Sequence, residues 1–192
     1  MQEIEANYQT TARSALRTTA ELFFLFFAAP AFAAGHFTHG GVPTCTITPV
    51  VTATDTSQSV TCSGELAGLG NADLVLDLSV SGSALYQCEN KGGNIAPGQN
   101  RVLVGPSTST TTIPASAIKN GRTPFTTNPA VLTAPLTTSA AVAGCPNANW
   151  SGVNPVVTVT SITLKISQTE LLFTCTASDP NGLTGTVTLT CV

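Results

Sequence analysis

Six cysteines, Cys45, Cys62, Cys88, Cys145, Cys175 and Cys191, place the tightest constraint on how this chain can fold. Their number is even and none form a CxxC-type pair. The pattern therefore argues for three disulfides made in an oxidising compartment, not for a thiolate metal site. An apolar run upstream points to the same address. Residues 22 to 33, LFFLFFAAPAFA, pass through helix-breaking Pro30 to the small-x-small triplet Ala31-Phe32-Ala33 that signal peptidase reads. The run is shorter than the roughly 20 apolar residues of a membrane-crossing helix, and nothing later in the chain could span. The expected organisation is a signal peptide over 1–33, a flexible tail over 34–42 and one domain over 43–192, secreted and with no membrane span after cleavage.

Past the leader the dominant hydrophobic period is two, as in strands with one buried face. Leu74, Leu76, Leu78 and Val80 alternate with Asp73, Val75, Asp77 and Ser79. Ser81-Gly82 then reads as a turn, which sets Leu78 opposite Tyr86, Leu76 opposite Cys88, and points Cys88 inward. A second hairpin is read from LLFTCTASDPNGLTGTVTLTCV, with Asp179-Pro180-Asn181-Gly182 carrying type I turn chemistry. In VVTVTSITLKIS, Val157 and Val159 keep one phase and Ile162, Leu164 and Ile166 the other, which predicts a bulge near Thr160-Ser161. Asn120-Gly121 predicts a turn, and the proline-punctuated Thr123 to Ala134 predicts edge strands or loops. No helix longer than a turn is expected. The fold class is all-β: a disulfide-stapled, antiparallel, immunoglobulin-like β-sandwich.

That register constrains the bridges. In the C-terminal hairpin Cys175 and Cys191 share a face but stand four residues apart, about 13 Å, whereas bridged Cα atoms lie within about 7 Å. The expected partners are Cys45 and Cys62 on an N-terminal strand pair; either order fits the register, and the nested one, Cys45 with Cys191 and Cys62 with Cys175, is preferred. Cys88 is then left for Cys145.

Composition excludes more than it assigns. Charged residues make up 9% of the chain and the net charge is −3, so the clustered lysines and arginines that nucleic acid or an anionic membrane requires are missing. His36 and His39 both fall in the expected tail, so a serine or cysteine nucleophile has no base in the core, and no catalytic residue is assigned. Asp55, Glu65, Asp73, Asp77, Glu89, Glu170 and Asp179 are scattered; a glycosidase-like carboxylate pair is the weaker reading. No cofactor is expected, with one conditional exception. If cleavage follows Ala33, the new terminus Ala34-Gly35-His36 can wrap Cu(II) or Ni(II) in a square plane of amine, amide and imidazole nitrogens. The same residues read more simply as a solvated tail. Thr174, Thr176, Thr186, Thr188 and Thr190 suit a hydroxyl array, but threonine is also the ordinary solvent-facing strand residue. Trp150, the single tryptophan, reads as a core plug beside Cys145. Asn149-Trp150-Ser151 is a glycosylation sequon, meaningful only in a eukaryotic secretory pathway.

The stretch CENKGGNIAPGQN reads as a long polar loop pinned at Cys88. Glu89, Asn90, Lys91, Asn94, Gln99 and Asn100 are the binding-loop candidates, since exposed tethered loops often carry binding residues. Amides and glycines are also what a long loop uses to satisfy its own backbone. The expected partner is an extracellular protein or glycan, and the expected role a non-catalytic binding or structural module. An extracellular inhibitor or glycan-binding protein using the 89–100 loop is the alternative.

The order AGLGNADLVLDLSVSGSALYQCENKGGN, a Ser/Thr-rich middle, KNGR and AGCPNANW resembles a group of small secreted, β-rich bacterial proteins, mainly from actinomycetes. They share a Cys followed by an Asn/Gly-rich loop and a later Cys-Pro. The resemblance covers roughly residues 64 to 166. It implies a common Cys88–Cys145 bridge and a secreted address, and it implies no activity. Cys45, Cys62, Cys175 and Cys191 depart from the pattern as additional staples.

Overall fold

The computed structural model describes residues 35–38, 41–169 and 171–192; the signal peptide expected over 1–33 lies outside them. The protein is all-β, its strands pair antiparallel, and three disulfides staple it. Alternating sequence builds the larger pairing. Strands β4 (Leu74–Asn90) and β9 (Trp150–Gln168) run side by side from Val75 opposite Ser167 to Asn90 opposite Trp150. Leu74, Leu76, Leu78 and Val80 of β4 and Ile162, Leu164 and Ile166 of β9 are buried, while Asp77 and Lys165 face solvent. The period of two thus sends one face of each strand inward.

Around this pair lie β5 (Ile95–Ile113) against β4, β10 (Leu171–Leu183) against β9, and β12 (Thr190–Cys191) against β10, with short β8 (Thr137–Ser139) on the start of β9. The second sheet is organised on β3 (Asp55–Ala67). It carries β1 (His36–Phe37), β2 (Thr44–Val51), β6 (Arg122–Thr126) and β7 (Ala130–Pro135), and β11 (Thr186–Thr188) extends it beyond β2. Val60, Leu66, Phe125 and Leu132 from this sheet and Leu76, Leu78, Leu164 and Ile166 from the other belong to one buried cluster. The sheets therefore share a core. Cutting any of its fully buried leucines back to alanine costs about 2–5 kcal/mol.

Several expectations hold. Thr160 is the bulged residue, since Ser161 faces Ser81 and Val159 faces Gly82. Asn120 and Gly121 turn with φ of 52° and 69°, joined by a Lys119–Arg122 bridge. The only α-helix among the described residues is the single turn α1 (Ala140–Ala143).

Others are corrected. Ser81-Gly82 is not a turn: β4 continues straight through it because β9 offers partners on both sides of the position. Cys88 still faces inward, because Ala84, Tyr86 and Cys88 keep the even phase of Leu74. Asp179–Gly182 likewise does not close a hairpin. It is an excursion inside β10, with Ser178 facing Ser161 and Leu183 facing Val159 on the same neighbour.

The chain then crosses to the second sheet, where Val187 stands opposite Cys45. It returns through buried Leu189 and brings Cys191 opposite Cys175.

This crossing overturns the expected bridges from Cys45 and Cys62 to Cys191 and Cys175. The bonds are Cys45–Cys62 and Cys175–Cys191, each between directly opposed residues of neighbouring strands with Cα atoms 3.9 Å apart. The 13 Å separation inferred from the sequence belonged to a hairpin that does not form. Cys88–Cys145 is present, with a Cα separation of 5.6 Å.

Within the stretch 34–42, expected as a flexible tail, His36 and Phe37 form β1. There His36 pairs with Ala67 and Phe37 with Leu66, and the Phe37 ring lies 5.6 Å from that of Phe173. An aromatic side chain with a core edge to cover holds β1 in place.

Candidate functional site

The stretch after Cys88 is shorter as a loop than its composition suggests. Strand β4 runs to Asn90 and β5 begins at Ile95, so the expected 89–100 loop shrinks to a four-residue tip. Asn90 organises it. Its Oδ1 accepts from the Gly92 and Asn94 amides at 2.9 and 3.0 Å and from Asn94 Nδ2 at 3.2 Å, while its own N–H donates to Asn94 O. Such local side-chain bonding is how asparagine stabilises a tight turn.

The Cys88–Cys145 bond brings a second segment to this tip. After α1, Gly144 adopts a left-handed φ of 68° and the chain passes Cys145 to a turn in which the Asn149 amide donates to Asn147 Oδ1 at 2.9 Å. Trp150 then opens β9 directly opposite Asn90. Asn90, Lys91, Gly92, Asn147, Asn149 and Trp150 together line a shallow, open depression of about 320 Å³. Trp150 is partly buried and packed on the core, as the plug reading expected, yet it also forms one wall.

The polar inventory of the depression is weighted toward donors. Among the described residues, the nitrogens Asn90 Nδ2, Lys91 Nζ, Asn147 Nδ2, Asn149 Nδ2 and Trp150 Nε1 donate to no protein acceptor; of the side-chain oxygens, Asn90 Oδ1 and Asn147 Oδ1 accept backbone amides and Asn149 Oδ1 accepts none. A donor-rich wall with one aromatic ring suits a ligand rich in acceptor oxygens.

The remaining candidates separate from this group. Asn100 Nδ2 donates to the Ala141 and Val142 carbonyls, both at 3.2 Å, and so caps the end of α1. Gln99 bonds the nearby Pro97 carbonyl, and Glu89 lies within the ladder between Ile95 and Ser151. Of the six candidates, Asn90 and Lys91 line the depression, and Asn94 supports it through Asn90. Asn147 and Asn149, which also line the depression, were missed. The bridge itself is the signal that could have found them: residues just beyond Cys145 must lie close to those just beyond Cys88.

No catalytic grouping assembles elsewhere among the described residues. Asp73 accepts from the Ala115 amide, Asp77 from the Thr110 hydroxyl and Asp55 from the Thr54 hydroxyl, and Glu65 pairs with Arg122 at 3.3 Å. Each carboxylate serves a separate structural contact. No cluster of three or more His, Cys, Asp or Glu side chains occurs among the described residues. Ala34, His39 and Glu170 lie outside those residues, so the terminal copper arrangement has only Gly35 and His36 within them. The threonine array is redistributed, with Thr190 beside Thr176 in one sheet and Thr186 and Thr188 beside β2 in the other. No helix among the described residues is long and apolar enough to cross a membrane. No protein-family model, curated protein or solved structure matches this chain.

Proposed function

We propose that this protein is exported by its N-terminal leader and acts outside the cell as a non-catalytic, immunoglobulin-like binding module for a glycan, held in the Asn90–Trp150 depression. Three disulfides with no free cysteine among the described residues suit an oxidising environment. The Cys88–Cys145 bridge is the one implied by the resemblance to small secreted actinomycete proteins, and that resemblance supports the same address.

One observation carries the ligand class: unpartnered N–H donors and an indole converge on one open depression. Sugar rings present an apolar C–H face to an aromatic and a rim of oxygens to donors. Lys91 is the one charged side chain on the wall, which favours glycans with a carboxylate over neutral ones.

Trp150 is the only tryptophan in the chain, so tryptophan emission, excited selectively over tyrosine, reports on this site alone. Titration with uronate-containing oligosaccharides should shift its emission. Lys91→Ala and Asn149→Ala should each weaken the midpoint by roughly tenfold, the cost of a charge-assisted hydrogen bond. An emission spectrum that stays unchanged across acidic and neutral oligosaccharides would exclude this reading.

A further inference from the structure

Strand β5 is the long outer strand of its sheet, and most of its free edge is guarded. Near its start Asn100 bonds the carbonyls of α1, and a Cβ on Gly98 would meet the Ala143 carbonyl oxygen at 2.8 Å. Near its end the interruption between β6 and β7 folds over it. The Asn128 amide donates to Thr111 Oγ1 at 2.6 Å, Asn128 Nδ2 to Thr110 O at 2.8 Å, and the hydroxyls of Ser107 and Ser109 engage Val131 N and Asn128 O. Covering an edge in this way keeps other chains from pairing with it.

Between the guards lies Arg101–Val104. Its backbone pairs with Leu85–Gly82 of β4 and, among the described residues, with nothing on the other side. Irregularities on both flanks isolate the window. Three residues, Gly98 to Asn100, stand against Tyr86 on one flank, and Gly105 with Pro106 against Ser81 on the other. The exposed face beside it is unusually apolar. Leu85 faces Arg101 on one side and Val156 on the other, so the three form a row across β5, β4 and β9, and Leu103 stands two residues along. Leu103, Val156 and Leu85 are 88%, 64% and 42% exposed. Arg101 is exposed and makes no ion pair, the only one among the described residues being Glu65–Arg122.

We propose that Arg101–Val104 is a strand-addition site for an extended peptide segment that places an aliphatic side chain against Leu103 and a carboxylate against Arg101, two residues apart on the same face of β5. Open backbone groups supply affinity in this mode of recognition, and alternate side chains supply selectivity. Exposed Leu103, with Leu85 one strand further in, accounts for the aliphatic position, and the unpaired guanidinium for the acidic one. The site is separate from the Asn90–Trp150 depression and does not depend on the glycan reading.

The probe is a blocked heptapeptide alternating valine and threonine with one central glutamate, labelled for fluorescence anisotropy. Two controls accompany it: the same peptide with lysine for glutamate, and one with N-methylated valines that cannot form ladder hydrogen bonds. The glutamate peptide should bind roughly fivefold more tightly than the lysine peptide, the size of one exposed ion pair. It should also slow amide exchange at Arg101–Val104. Arg101→Glu should reverse the preference between the two peptides, and Leu103→Lys should weaken both. Both residues are exposed, and an unchanged thermal midpoint confirms that the variants fold. Trp150→Phe should leave peptide binding intact. Equal binding of the N-methylated peptide, or a preference that Arg101→Glu does not move, overturns the proposal. So does protection of the same amides without peptide alongside a concentration-dependent dimer mass, which would assign the edge to a second copy.

Discussion

At Asn90–Asn94 and again at Asp179–Gly182, a side-chain oxygen accepts a backbone amide two residues on: Gly92 N to Asn90 Oδ1 at 2.9 Å and Asn181 N to Asp179 Oδ1 at 2.8 Å. Yet the chain reverses at the first and resumes its course at the second. After Asn94 it pairs back on its own strand, with Glu89 opposite Ile95. After Gly182 it continues along β9, with Leu183 opposite Val159. The local chemistry bends the backbone in both cases. Partners decide where the chain goes next. The tip is tethered by Cys88–Cys145 to the segment beyond α1, while past Asp179 the partly buried place of Val187 lies in the other sheet and Leu189 is buried on the way back.

The tethers should show this difference most strongly. Cys88–Cys145 closes 57 residues and Cys175–Cys191 only 16. Chain-entropy arguments assign about 4 kcal/mol to the first and about 3 kcal/mol to the second. Urea unfolding of the C88A/C145A and C175A/C191A double variants should give losses in that order. The first variant should also lose the Trp150 emission response. A larger loss from the C-terminal pair would mean that the crossing strap holds the sheets together more than loop closure holds the tip.

Glycine substitutions sharpen the same contrast. Gly93 at the tip has φ of 75° and open space where a Cβ would go, so Gly93→Ala should cost only the left-handed penalty of about 1–2 kcal/mol. Gly182 has φ of 116°, and a Cβ there would run into the Thr158 methyl. Gly182→Ala should therefore cost about 3 kcal/mol, strain and collision together. Comparable midpoints in thermal unfolding would show that the excursion yields as easily as the tip.

The contrast also explains what the sequence could reveal. Strand identity, the buried faces of β4 and β9 and the bulge at Thr160 were legible, because alternation is a local record of which side chains face the core. Whether a turn closes a hairpin was not legible, since that depends on a neighbouring strand distant in sequence. Reading Asp179–Gly182 as a reversal moved Cys191 four residues out of register with Cys175 and forced two wrong bridges. Half of the candidate site was visible as Asn90 and Lys91 after Cys88. The other half, Asn147, Asn149 and the exposed wall of Trp150, required the Cys88–Cys145 bond to be followed outward from both ends. β1 was hidden because two residues are too few to display a period; only the pairing of Phe37 with the core edge defines it.

The smallest expected effect separates the tip side of the molecule from the excursion by pH. Tyr86 lies on β4 ahead of the tip, buried, and its hydroxyl donates to the Pro135 carbonyl at the end of β7 at 3.1 Å, tying one sheet to the other. Burial disfavours the phenolate and holds its pKa above the ordinary 10.0. As pH passes the unfolded phenol's value, the unfolded chain releases a proton that the folded chain retains. Stability is therefore fully present below about pH 9 and declines as pH rises through 10 toward the folded value. Tyr86→Phe should cost about 1 kcal/mol at neutral pH, leaving the Pro135 oxygen without its donor. It should also flatten the alkaline decline, while Asp179→Asn on the excursion should leave that decline unchanged. Urea midpoints that fall equally between neutral and alkaline pH in wild type and Tyr86→Phe would remove Tyr86 as the source of the pH dependence.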